Sequence, residues 1–159
     1  MPNPPGMHVR LVTVGKLREP YLVAAAADFR QRLRSYHRLE EIEIRARDGS
    51  DAGRAMAAEA EAILKQIARG DHVWLLERTG TEFSSLELAQ RLDALPGAGI
   101  SQLTLVVAGT YGAAPELLER AQVRWSLSKL TLLHEWARVL VLEQLYRAAK
   151  IATNEPYHH

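Results

Sequence analysis

The chain has 159 residues, 47% of them hydrophobic, which suits one domain with a packed core. It contains no cysteine, which excludes disulfides, thiolate zinc sites and cysteine nucleophiles and points to a reducing cytoplasm. The net charge of +1 hides a segregation: seven Lys or Arg against two acids over residues 8–38, seven against fourteen over 39–119, and six against three from 120 onward.

Residues 1–6 are proline-rich and read as a disordered extension, with a single domain filling 7–159. No stretch approaches the roughly 18 to 20 apolar residues of a membrane helix, so a soluble protein without membrane contact is expected. Residues 9–14 form an apolar run closed by Gly15, and residues 40–45 alternate with period two; both predict strands. Between them, residues 19–34 are rich in Ala, Leu and Arg and predict a helix. Residues 55–68 predict a second, with Met56, Ala60, Ile63, Leu64 and Ile67 on one face.

Residues 73–76 then read as a buried strand, followed by a turn at Gly80 and a helix from Ser84 or Ser85, where Ser84 and Glu87 have capping-box spacing. Residues 103–107 are another buried strand, and Pro115 is placed to open the next helix. Alternating strands and helices imply an α/β fold, a mainly parallel sheet flanked by helices. Ligands of such sheets bind beyond the carboxyl ends of the strands, here after Leu76, after Val107 and after the short segment around Trp125. The last helix, residues 135–151, is apolar all round at Val139-Leu140-Val141-Leu142. Burial against a second subunit in a two-fold homodimer explains that pattern, as does a place deep in the monomer core.

The loop Ala108-Gly109-Thr110-Tyr111-Gly112 lets backbone approach a nucleotide-like ligand, because glycine accepts close contact and positive φ. It fits neither the dinucleotide fingerprint nor the phosphate loop. No histidine pair has metal-ligand spacing, so no metal is expected; His8, His37 and His72 read as structural or surface residues. No Gly-x-Ser-x-Gly elbow supports a serine hydrolase.

The most specific stretch is Trp125-Ser126-Leu127-Ser128-Lys129-Leu130-Thr131-Leu132-Leu133-His134, continued by Arg138, by Glu143-Gln144-Leu145-Tyr146-Arg147-Ala148 and by Asn154-Glu155-Pro156-Tyr157-His158. It resembles the ribosomal RNA large-subunit methyltransferase H family of the SPOUT superfamily, in which a Ser-Leu-Ser-x-Leu-Thr-Leu-Pro-His loop leads into an Arg-Val-Leu-x-x-Glu-Gln-Leu-Tyr-Arg-Ala helix and a Glu-Pro-Tyr-His tail. Val12 to Lys16, Leu76-Glu77 with Gly80, and Ser84-Ser85 extend the match upstream. The chain departs from the family pattern at Ala108, Leu133 and Thr81, where glycine, proline and often lysine are usual. Ala108 crowds a ligand if its backbone needs positive φ.

The resemblance implies a SPOUT-type α/β knot, with the C-terminal part threaded as a trefoil. It also implies S-adenosylmethionine (SAM) held mainly by backbone at Leu76, at Ala108 with Gly109, and at Leu127, Ser128, Lys129, Leu130, Thr131 and Leu132. The implied reaction is methylation of N3 of a pseudouridine in the helix 69 loop of 23S rRNA within the 70S ribosome. For that step His158 or Glu143 is the candidate proton acceptor, while Arg138, Arg147 or the Tyr157 hydroxyl steadies the base and phosphates; Glu143 and Arg147 also have the i,i+4 spacing of a surface pair. His134 is expected to organise the loop, and Arg30, Arg32, Arg34 and Arg38 are candidate phosphate contacts. Two other readings stay open: the same fold acting on another RNA such as tRNA, and a ribosome-binding factor without activity, for which Ala108 is the best argument.

Overall fold

The computed structural model describes residues 6–47 and 51–158. The expected N-terminal extension therefore lies, apart from Gly6, outside the described residues. Five strands, β1 (His8–Val14), β2 (Arg38–Ile44), β3 (His72–Glu82), β4 (Gln102–Val107) and β5 (Val123–Ser126), form one parallel sheet in the order β2-β1-β4-β3-β5. The helices are α1 (Pro20–Leu33), α2 (Ala52–Leu64), α3 (Ser85–Ala94), α4 (Pro115–Arg120) and α5 (His134–Ala152).

Right-handed crossovers sort these helices by the direction of each step along the sheet. β1 to β2 and β3 to β4 step one way, which puts α1 and α3 on one face. β2 to β3 and β4 to β5 step the other way, which puts α2 and α4 on the opposite face. The side-chain period of two then builds two cores. Val9, Leu11, Trp74, Leu103 and Leu105 pack with α1, α3 and α5, while Val12, Val14, Val73, Leu75 and Val106 pack with α2 and α4.

Local signals set most boundaries. Pro20 and Pro115 sit in the first turns of α1 and α4, where a missing N–H costs nothing. Ser84 and Glu87 close the expected capping box. The helix expected over 55–68 starts earlier because Asp51 accepts the Arg54 amide at 3.2 Å. It also ends earlier, where the Gln66 and Ile67 amides tighten onto the carbonyls of Ile63 and Leu64. His37 accepts the Met7 amide at 3.2 Å, and burial lowers its pKa; His72 accepts the Trp74 indole N–H at 2.9 Å. Both are structural, as expected.

The expected turn at Gly80 is instead part of β3. That strand runs on to Glu82 through an irregularity, with both Leu76 and Thr81 opposite Trp125. Gly80 permits it by lying flat on β5: a Cβ there would come 2.4 Å from the Arg124 carbonyl oxygen. Backbone cannot yield as a side-chain tip can. Gly80→Ala should cost about 2 kcal/mol and lower Tm by roughly 4 to 8 °C, read by thermal unfolding.

α5 packs between α1 and α3. Val139, Val141 and Leu142 are thereby buried within the chain, while Leu140 stays half-exposed. At the start of α5 and in the loop before it, Leu130, Leu133 and Trp136 are exposed, with Tyr21 of α1 at 5.9 Å from the Trp136 ring.

Candidate ligand cleft and C-terminal cluster

Beyond the carboxyl ends of β3, β4 and β5 lies a cleft of about 250 Å³, at the position the strand order favours. Three segments wall it: Leu76 to Arg78 within β3, the loop Ala108 to Ala113 after β4, and the loop Leu127 to Leu132 after β5. The two loops are fixed by different devices.

The loop after β4 turns on glycine. The Gly112 amide donates to the Gly109 carbonyl at 3.0 Å, and Gly112 sits at φ +86°. Gly109 lies against the sheet edge so closely that a Cβ would meet Val14 Cγ1 and Glu59 Oε1, each at 2.9 Å. Glu59 of α2 is buried; its Oε2 accepts the Arg47 amide at 2.9 Å, and its Oε1 has no partner among the described residues. Ala108 is not among the residues at positive φ, so its methyl group adds no backbone strain.

Serine hydroxyls fix the loop after β5. The buried Ser126 hydroxyl lies 2.8 Å from the Arg78 carbonyl and 3.0 Å from that of Ser128, joining two walls of the cleft. The Ser128 hydroxyl in turn accepts the Leu130 amide at 3.0 Å. Leu133, where proline is usual in the resembling family, has φ −59°, the angle proline imposes, so the loop keeps that geometry as it enters α5.

Leu76, Ala108, Gly109, Leu127, Ser128, Leu130, Thr131 and Leu132, singled out from the sequence, all line this cleft. Lys129 does not: its exposed ammonium points to Glu82 at 3.9 Å. The wall also includes residues that the sequence did not single out, among them Arg78, Ala113 and Ala137. Among the described residues, the ionisable ones lining it are Glu77, Arg78 and His134. The chemistry on offer is apolar surface with loop amides and carbonyls, which suits a nucleoside-like ligand such as SAM.

Glu143, Arg147, Tyr157 and His158 form a second assembly, where the tail folds back on α5. Glu143 Oε1 accepts Arg147 at 2.6 Å and the Tyr157 hydroxyl at 3.2 Å, while Oε2 accepts Gln144 at 2.7 Å. The Arg147 guanidinium lies 4.7 Å from the Tyr157 ring centroid, and its Nη1 is 3.2 Å from Nδ1 of the exposed His158. Burial, reinforced by the Glu143 charge, raises the Tyr157 pKa, so the phenol remains a donor. Glu155 pins the same tail to Thr153, Lys150 and Tyr36, and those bonds push its pKa down to about 2.

Arg138 is not brought to that cluster. Its buried guanidinium donates to the Gly15 carbonyl at 3.2 Å and pairs with Glu43 at 2.8 Å, tying α5 to the ends of β1 and β2. Removing either partner has unequal consequences. Glu43→Gln leaves a buried cation poorly compensated and should cost about 2 kcal/mol, below the usual figure for buried pairs because water reaches the Glu43 side chain. Arg138→Met leaves a carboxylate that water can solvate and should cost about 1 kcal/mol. Urea denaturation of both variants measures the difference.

Of the candidate phosphate contacts, Arg30 is engaged by Glu41, and Arg32 by Asp28 at 3.1 Å. Arg34 and Arg38 are exposed, with no ion pair among the described residues. Among those residues, no group of three or more His, Cys, Asp or Glu side chains is arranged to hold a metal, and no helix is long and apolar enough to cross a membrane.

A family model described as a predicted SPOUT methyltransferase matches residues 7–158. Curated relatives named ribosomal RNA large subunit methyltransferase H match over nearly full length. The protein of Gloeobacter violaceus is 44% identical, covering 96% of this chain and 99% of its own; that of Rubrobacter xylanophilus is 43% identical, covering 93% and 96%. Among solved structures, a probable methylase family protein from Haemophilus influenzae has the same fold, with a TM-score of 0.54 at 16% identity over 96% of this chain and 71% of its own.

Proposed function

The chain belongs to the SPOUT methyltransferase family, and on that premise we propose that it is a SAM-dependent enzyme that methylates N3 of a pseudouridine in the helix 69 loop of 23S rRNA within assembled ribosomes. The observation that carries this reading is the cleft at the ends of β3, β4 and β5, bounded by apolar side chains and loop backbone. SAM bound there supplies an electrophilic methyl group. The chain must do the rest: position the acceptor, take the imide proton and stabilise the resulting anion.

The tail cluster is suited to those tasks. Both Glu143 oxygens are occupied, which makes Glu143 an organiser of Arg147 and Tyr157 rather than the base. His158 accepts the proton once substrate draws Arg147 away from its ring, and the released guanidinium then faces the anion. Within one chain, however, Glu143 stands nine residues along α5 from His134 at the cleft, roughly 14 Å. A two-fold homodimer covering Tyr21, Leu133 and Trp136 would bring one protomer's tail toward the other's cleft. The C-terminal trefoil knot and a cytoplasmic location belong to the same reading. A ribosome-binding factor without activity loses its main support, because Ala108 leaves the loop unstrained.

Calorimetric titration with SAM tests the cofactor half of the proposal. Saturable, stoichiometric binding is expected; absence of binding up to millimolar SAM would remove the cleft as a cofactor site.

A further inference from the structure

A second groove, of about 620 Å³, opens at the carboxyl ends of β1 and β2, lined by Gly15, Lys16, Arg18, Glu43 and Arg45. It borders the cofactor cleft. β1 pairs directly with β4, Thr13 lying opposite Val107, and Val14 packs against the Gly109 position. The two openings therefore share one edge of the sheet, one to two strand spacings apart, roughly 5 to 10 Å.

The charge on this edge is not what the acidic middle of the sequence suggests. Lys16 and Arg18 follow β1 and Arg45 follows β2, all three lining the groove, and Arg47 lies just beyond its lining; all four side chains are exposed without an ion pair among the described residues. The Gly15 amide bonded to the Ile44 carbonyl at 2.7 Å holds the two loops together. The nearby carboxylates are engaged by other groups: Glu43 by Arg138 at 2.8 Å, and Glu135 by the Arg18 amide at 2.7 Å. Among the described residues, Glu19 is left exposed beside Arg18. On the α1 side, by contrast, acids take up Arg30 and Arg32.

Resting on the methyltransferase reading above, we propose that Lys16, Arg18, Arg45 and Arg47 bind backbone phosphates of the RNA nucleotides flanking the one presented at the cleft. Splaying one base of a single-stranded loop toward the cleft leaves its neighbours' phosphates exposed at the distance this groove spans. Cations there fix the register of the RNA without reading its sequence. The helical arginines of α1 are then secondary.

The test compares methyl transfer by the wild-type chain with that by Arg45→Gln/Arg47→Gln, Lys16→Gln/Arg18→Gln and Arg34→Gln/Arg38→Gln, using ribosomes and labelled SAM across a range of salt. Each groove pair should raise KM for RNA roughly tenfold with kcat largely kept. The dependence of log affinity on log salt should become shallower by about 0.7 for each phosphate that the variant no longer neutralises. Wild-type KM and salt slope in both groove pairs would overturn the proposal while leaving the enzyme assignment standing, whether or not the Arg34/Arg38 pair is impaired. No methyl transfer to any RNA by the wild-type chain would instead defeat the functional reading, and this inference with it.

Discussion

Gly109→Ala will weaken SAM binding about tenfold to a hundredfold, whereas Ala108→Gly will change it by less than about threefold. The new methyl group at 109 points into the sheet edge, 2.9 Å from Val14 Cγ1 and 2.9 Å from Glu59 Oε1. Neither neighbour can retreat cheaply. Val14 is buried in β1 between β2 and β4, and Glu59 is buried with its other oxygen on the Arg47 amide. The loop must move instead, and overpacking of this kind typically costs about 1 to 3 kcal/mol. Because Gly109 forms part of the cleft wall, that displacement falls on the ligand. At Ala108 no such conflict exists, since its backbone is already in a region open to any residue. Titration of both variants with SAM, alongside their Tm, separates weakened affinity from weakened stability.

His158→Ala will lower single-turnover methyl transfer about a hundredfold or more, with SAM affinity unchanged. The residue is exposed near the end of the chain and adds nothing to either core, so its removal leaves the fold intact. Among the described residues its polar neighbour is Arg147, at 3.2 Å from Nδ1. Tyr157→Phe should cost less, about fivefold, because it removes one donor to Glu143 and keeps the ring on Tyr146 at 4.8 Å. Wild-type single-turnover rates in His158→Ala would assign proton removal to another group.

Much of the fold was legible because local and long-range signals agree. Ser84 with Glu87, and Pro115, mark helix starts that the structure reproduces, and the apolar runs at 73–76 and 103–107 lie in β3 and β4, two interior strands. Gly80 misled because a glycine inside an irregular strand and a glycine in a turn look alike until the Arg124 carbonyl is seen beneath it. Apolar residues all round α5 fitted either a second subunit or the monomer core; α1 and α3 flank the helix and bury Val139, Val141 and Leu142, a packing that helix periodicity alone does not reveal.

The site was legible where it is built of contiguous loop and obscure where it is built across the fold. Leu127 to Leu132 were marked as a loop by the family resemblance, which runs without gaps through that stretch. Glu59 carried an overlooked signal: an acid between Met56 and Ile63 on the apolar face of α2 is a buried carboxylate, and the structure sets it beneath Gly109. The grouping of Lys16 and Arg18 with Arg45 and Arg47 depends on β1 and β2 being parallel neighbours in register, Val14 beside Ile44.

The most direct measurement offers methyl-labelled SAM to 70S ribosomes, free 50S subunits and tRNA, each with and without pseudouridine at the target position. The predicted result is label in 23S rRNA of the 70S ribosome, at a pseudouridine of helix 69, and none once that pseudouridine is replaced by uridine. Label confined to tRNA, or none in any of the three, would contradict the assignment.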